Sequence, residues 1–264
     1  MGIVVTVRGG RGSAGRRSGQ AAWQDRRMTR RRRDGREAED TGGPGEGRRA
    51  SAREADAWRE LVGTARRTVA DGLVVGTSGN VSVRIGETVL VTPSGVPYDR
   101  LTADDVTGVD LTGRQVLGTL VPTSELPLHL AVYRTTAARA VVHTHAVHAT
   151  AVSTLVDELP LIHYMAAALG GPVRVAGYAT YGTAELADNM LRALDGRSGC
   201  LLRNHGTVTH GTSLLQAYDR TAQLEWMCRL WLTASSVPGL TPALLTRDQL
   251  AEAEQHLRHY GQPN

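Results

Sequence analysis

No lysine and no phenylalanine occur in this chain, and all 30 of its basic residues are arginine. Three chemistries are thereby excluded: a Schiff-base aldolase, a pyridoxal-phosphate enzyme and a P-loop nucleotide hydrolase each need a lysine amine. Carbonyl activation must come from a metal ion, an arginine or hydrogen bonds. Cysteine is scarce as well. Cys200 and Cys228 both sit inside apolar segments, which fits packed thiols in a reducing cytoplasm and not a disulfide framework. Long apolar runs are missing too: none approaches about 18 residues, and Ile3 to Val7 is too short for the core of a signal peptide. A cytoplasmic protein, neither exported nor membrane-spanning, is expected.

Hydrophobic residues make up 41% of the 264, enough for a packed core. Charge is unevenly placed. Of 30 arginines and 26 acidic residues, 13 and 6 precede Ser51, so residues 1–50 carry +7 and the remainder −3. Gly, Arg and Ser dominate that first segment, which has few apolar residues and no periodicity, so a disordered extension is expected there. Met28 is an alternative start within it. A nucleic-acid arm would need aromatics interleaved usefully with the arginines, and none are, so a solvated extension is the reading adopted.

Two distant stretches concentrate the chemistry. Ala140-Val141-Val142-His143-Thr144-His145 ends an apolar run, and alternate residues of a strand share a face, so His143 and His145 can reach one ion. Leu201-Leu202-Arg203-Asn204-His205-Gly206 ends a second such run, with His205 the natural third ligand of a catalytic zinc that keeps one position open. Among nine histidines an H-x-H pair alone is weak evidence. His129, His148, His163 and His210 read as structural.

Three donor-rich loops accompany the histidines. Gly76-Thr77-Ser78-Gly79-Asn80 and Thr92-Pro93-Ser94-Gly95 are each, alone, ordinary tight turns. Pro122-Thr123-Ser124-Glu125 precedes an apolar-periodic run, so Ser124 reads as a helix N-cap and the helix start as a ready anion site. Together they suggest a site that grips a phosphate beside one carboxylate. Helices are predicted over Ser51–Asp71, Val147–Val156, Thr183–Leu194, Ser213–Thr233 and Arg247–His259. Strands are predicted at Val81–Ile85, Thr88–Thr92, Val173–Tyr178 and Gly199–Leu202, with a hairpin around Asp110–Gly113. The helix from Ser213 is apolar around most of its circumference, which predicts a central position or cover by another subunit.

In this order the motifs Gly76-Thr77-Ser78-Gly79-Asn80-Val81-Ser82, Thr92-Pro93-Ser94-Gly95-Val96-Pro97-Tyr98, Pro122-Thr123-Ser124-Glu125, His143-Thr144-His145-Ala146-Val147-His148, His163-Tyr164-Met165 and Asn204-His205-Gly206 resemble the class II aldolase/adducin family. The likeness covers residues 53 to 261, or most of a domain over 51–264. It implies a three-layer α/β/α fold with a mixed, mostly antiparallel central sheet, in a cyclic homotetramer whose active sites lie between subunits. It also implies one zinc ion per subunit on His143, His145 and His205, with Glu125 as catalytic acid/base and candidate fourth ligand. Substrate phosphate would meet Thr77, Gly79, Asn80, Ser94, Gly95, Thr123 and Ser124, where Thr123 stands in place of a family serine. Tyr164, and Tyr260 from a C-terminal tail, would act at the aldehyde end.

The reaction so implied is cleavage of a phosphorylated ketose, such as L-fuculose 1-phosphate, to dihydroxyacetone phosphate and an aldehyde. Zinc on neutral imidazoles keeps its charge and would stabilise the enediolate, the role a lysine cannot fill here, while Glu125 shuttles a proton at the enediolate carbon of the ketone fragment. The same family holds ribulose-phosphate 4-epimerases, methylthioribulose-phosphate dehydratases, sugar-acid phosphate decarboxylases and non-catalytic adducin-like modules. Glu125 stands where the epimerase pattern has aspartate, which favours the aldolase, and the three histidines speak against a module without chemistry.

Overall fold

The computed structural model describes residues 48–257. The expected extension lies outside them up to residue 47, and so does Tyr260. The first helix, α1 (Ala52–Ala70), begins on a capping box: the Ser51 hydroxyl accepts from the Glu54 amide, and the Glu54 carboxylate accepts from the Ser51 amide. Arg48 donates to the same buried carboxylate at 2.8 Å. That guanidinium, outweighing burial, holds the Glu54 carboxyl down at about 2. A carboxyl depressed by folding contributes stability above its ordinary value near 4.5, and the contribution is lost as pH falls through about 2. Glu54→Gln should therefore lower stability by about 1–2 kcal/mol at neutral pH, discounted for the half-exposed Arg48. In denaturant titrations the gap from the parent should close between pH 4.5 and 2. A gap that persists at the lower pH would contradict the assignment.

The central sheet contains β1 (Asn80–Ile85), β2 (Thr88–Val91), β3 (Gly108–Asp110), β4 (Gln115–Leu117), β5 (Ala140–Thr144), β6 (Val175–Ala176), β7 (Gly199–Leu202) and β8 (Gly206–Gly211), in the spatial order β4-β3-β2-β1-β5-β8-β7-β6. Neighbours are antiparallel except β6 and β7, so the sheet is mixed and mostly antiparallel, as expected. Helices cover both faces. Val89, Val109, Val141, Cys200, Leu202 and Val208 pack under α2 (Leu126–Thr135) and α4 (Ala184–Leu194). Val81, Val83, Leu90, Ala140 and Val142 point the other way, toward α1 and the start of α5 (Leu214–Ser235). The two-residue period of each strand thus sorts its side chains into two cores, which makes the three layers.

A third cluster joins α3 (Val147–Ser153), α5, α6 (Arg247–Leu257) and a 3-10 turn at Tyr164–Leu169. Two elements differ from the sequence expectation. Helix α3 stops at Ser153 and not Val156, where the alternate β-branched residues Val152, Thr154 and Val156 weaken helical continuation. Strand β6 pairs over two residues only, bracketed by Pro172 and Gly177. Helix α5 buries one stripe, with Leu214, Ala217, Tyr218, Thr221, Leu224, Met227 and Cys228 inward, and leaves Leu215 and Trp226 exposed. Among the described residues, no helix is long and apolar enough to cross a membrane.

Candidate active site

Strand β5 carries Val141 on the α2/α4 face, so its pleat turns His143 to that side too, and His145 follows one step beyond the strand. His205 arrives from the turn between β7 and β8, where Asn204 takes a left-handed φ of 56°. Gly206 lets this turn press on β5: a Cβ there would lie 2.1 Å from the Thr144 carbonyl oxygen. The three imidazole centroids end 4.8 to 4.9 Å apart, with the rings inclined at 72° to 87° to one another. Glu125, at the start of α2, closes the group. One ligand atom from each of Glu125, His143, His145 and His205 lies within 4.8 Å of the others.

These four residues fit a metal ion on two grounds. His143 Nδ1 donates to the buried Thr207 carbonyl at 2.8 Å, which leaves its Nε2 with a bare lone pair. That lone pair faces Glu125 Oε2 and His145 Nε2, each at 3.0 Å, a repulsion that a cation between them relieves. Glu125 Oε1, 3.1 Å from His205 Nε2, is buried with no hydrogen-bond partner. Such spacings are close to the roughly 3.3 Å that separates neighbouring ligands around a tetrahedral ion with bonds of about 2.0–2.1 Å. Electrostatics agree. Burial, then the neighbouring His143 and His205, push His145 down to about 4, so it is a neutral ligand at physiological pH. Burial pushes the Glu125 carboxyl up, but positive charge placed at the facing His143 and His205 rings outweighs it and leaves the group well below the usual range.

The donor loops converge beside this group. Thr123 N–H donates to the Thr92 carbonyl and Ser94 N–H to the Val121 carbonyl, which sets the second loop against the third. Tyr98, its hydroxyl kept protonated by burial that raises it to about 12, donates to the Gly79 carbonyl at 2.7 Å. Gly79 itself has φ 82°, and a Cβ there would meet the His143 carbonyl oxygen at 2.8 Å, so the first loop needs glycine to lie on the histidine strand. Thr77, Gly79, Asn80, Ser94, Gly95, Thr123, Ser124, Glu125, His145 and His205 line one cavity of about 350 Å³.

One sequence expectation changes here, and three other residues find their places within the chain. Ser124 does not cap α2: Thr123 Oγ1 accepts from the Glu125 amide, its carbonyl accepts from the Leu126 amide, and the turn so formed leaves Ser124 exposed at the cavity wall. The Asn80 carboxamide is turned to Glu125 and His129, both buried, and not to an open phosphate position. Tyr164 lines a different cavity within this chain, beside His163, Trp226 and His256. His148 lies in the first turn of α3, where Glu225 accepts from its ring and from the His148 and Ala149 amides. Tyr178 and Tyr181 were not anticipated. They stand 63% and 65% exposed at the cavity mouth, on a loop that Gly182 packs against the Ser124 carbonyl.

The chain belongs to the class II aldolase/adducin family: the family model for the class II aldolase and adducin N-terminal domain matches residues 59–232. Within it, the chain is an enzyme of the aldolase type, a lyase. The L-fuculose phosphate aldolase of Escherichia coli (strain K12) is 38% identical over 205 residues, covering 77% of this chain and 94% of that protein. A 5-methylthioribulose-1-phosphate/5-deoxyribulose-1-phosphate aldolase of Rhodospirillum rubrum is 35% identical over 206 residues, 76% of this chain and 90% of that one. A solved L-fuculose 1-phosphate aldolase structure superposes with a TM-score of 0.74 at 33% identity, over 79% of this chain and 98% of its own.

Proposed function

We propose that this protein is a zinc-dependent aldolase that cleaves a 1-phosphorylated ketose of the L-fuculose type to dihydroxyacetone phosphate and an aldehyde. The observation that carries this reading is a buried carboxylate meeting three imidazoles in a cavity walled by hydroxyl- and amide-rich loops. His143, His145 and His205 would hold the ion, which when bound supplies the Lewis acid for the substrate carbonyl. The rest falls to the chain's own groups. Thr77, Ser94, Thr123 and Ser124 offer hydroxyls, and the Gly79 and Gly95 loops offer backbone, to a phosphate that fixes the substrate. Glu125, two residues from Thr123, gives the enediolate carbon its proton in cleavage and takes it back in the reverse direction. Tyr178 and Tyr181 border the opening where the aldehyde would leave. In a homotetramer with sites between subunits, Tyr164, and Tyr260 beyond the described residues, would come from a neighbouring copy and take the proton of the hydroxyl that becomes the aldehyde oxygen. The exposed Leu215 and Trp226 of α5 support such a contact.

The test is to quantify zinc and then screen fuculose, rhamnulose, ribulose and methylthioribulose phosphates for release of dihydroxyacetone phosphate. Zinc near one per chain with release from at least one 1-phosphorylated ketose is expected. The methylthioribulose and deoxyribulose arms matter because the Rhodospirillum relative is named for them. Epimerisation, dehydration or decarboxylation without release, by a zinc-loaded preparation, would overturn the aldolase reading.

A further inference from the structure

Behind the carboxylate lies a row of buried polar side chains that metal binding and phosphate binding leave unexplained. Glu125, His129 and Tyr133 follow at intervals of four on α2, and Asn80 and Ser82 at an interval of two on β1. Four helical steps advance about 6.0 Å and two strand steps about 6.6 Å, so the two rows mesh like stitches. The contacts are short: Tyr133 Oη to Ser82 Oγ 2.7 Å, Ser82 Oγ to His129 Nδ1 2.6 Å, His129 Nε2 to Asn80 Oδ1 2.5 Å, and Asn80 Nδ2 to Glu125 Oε2 3.0 Å. All five residues are buried.

The direction of every bond follows from one end. An ionised carboxylate only accepts, so the atom facing it must be the Asn80 NH2 group. Asn80 Oδ1 then faces His129, whose Nε2 must carry the proton. Burial pushes His129 down to about 3, so the ring is neutral and Nδ1 is its acceptor. Ser82 donates to Nδ1 and in turn accepts from Tyr133. Each O–H and N–H in the row therefore points toward Glu125.

We propose that His129 is a positioning residue for Glu125, acting through Asn80. Its Nε2–H keeps the Asn80 carboxamide from flipping, because a flipped amide would set Oδ1 against the carboxylate. The row then holds Oε2 with a donated hydrogen bond and so fixes the carboxylate plane, with Oε1, which accepts no such bond, turned to His205. This rests on the reading of Glu125 as the acid/base.

The measurement is hydrogen exchange at the hydroxymethyl carbon of dihydroxyacetone phosphate, with zinc content determined for every preparation. His129→Leu should keep its zinc and a KM within about twofold of the parent while its exchange kcat falls about 10–100-fold. His129→Gln, whose amide nitrogen can reach the place of Nε2, should recover much of that loss. Should His129→Leu fail to fold, Ser82→Ala, which removes the hydroxyl that makes Nδ1 the acceptor, should lower kcat in the same sense with zinc intact. Added to Glu125→Gln, His129→Leu should change nothing further. Parental exchange in a folded, zinc-loaded His129→Leu or Ser82→Ala variant, or a His129→Gln variant no better than leucine, would overturn the proposal. Parental exchange in Glu125→Gln would instead sink the acid/base reading on which it stands.

Discussion

Replacing His143 by alanine should strip the protein of its metal and of its turnover together. Of the three imidazoles it is the most enclosed, and its Nε2 is the atom nearest both His145 and the carboxylate. Loss of one ligand of three should weaken zinc binding by at least about a hundredfold, more than the loss of an outer-shell partner does. A second cost follows from the other ring nitrogen. Thr207 would keep a buried carbonyl with its donor gone, which costs about 1–3 kcal/mol of stability. His205, partly exposed in the β7–β8 turn, has no such bond from its ring, so His205→Ala should lose metal and turnover with a smaller drop in stability. Zinc per chain, dihydroxyacetone phosphate release and denaturant titration of both variants check this. A metal-free preparation that turns over at the parental rate would contradict the metal mechanism, as would a His143→Ala variant that still holds zinc.

What the sequence disclosed and what it hid divide along a physical line. Local signals were readable: Ser51 and Glu54 announce α1, Thr183 caps α4, and the apolar run into His143 announces a central strand with its ligands on one face. The grouping of His143, His145 and His205 was readable as well, because strand period and donor chemistry single them out. Features that depend on how two elements meet were not. His129 looks in sequence like an ordinary core histidine, and only the mesh of a four-residue helical interval with a two-residue strand interval sets it behind Asn80. Ser124 has the right residue type and place for a cap, yet the turn built on Thr123 hands that position to Glu125. Tyr178 and Tyr181 sit in a loop with no periodicity, and the close approach of Gly182 to Ser124 is what swings them to the cavity mouth. Tyr164 lines another cavity within one chain, a placement that its sequence motif beside His163 does not reveal.

Glu125→Gln separates the two jobs that converge on one carboxylate. The substitution keeps the shape of the side chain, so the donor loops and the three imidazoles should stay where they are, and the zinc content should remain near that of the parent. The base is removed, however. An amide cannot accept the proton of the hydroxymethyl carbon at any useful rate, and positioned acid/base groups contribute about 10²–10⁴-fold, so exchange there should fall by that factor while KM for the phosphorylated substrate moves by only a few-fold. Glutamine also brings an NH2 group toward His143 Nε2 and His205 Nε2, where the carboxylate now lies at 3.0 and 3.1 Å. With the ion bound, those lone pairs are engaged and the amide must turn its oxygen inward, so its nitrogen faces the Asn80 NH2 group or the cavity. The first arrangement sets donor against donor and the second gives up the Asn80 bond, so the variant should also be less stable with metal than without it, relative to the parent in each state. Unfolding measured with and without chelator reads that difference. Exchange at the parental rate in this variant would remove Glu125 from the chemistry and leave it only a ligand.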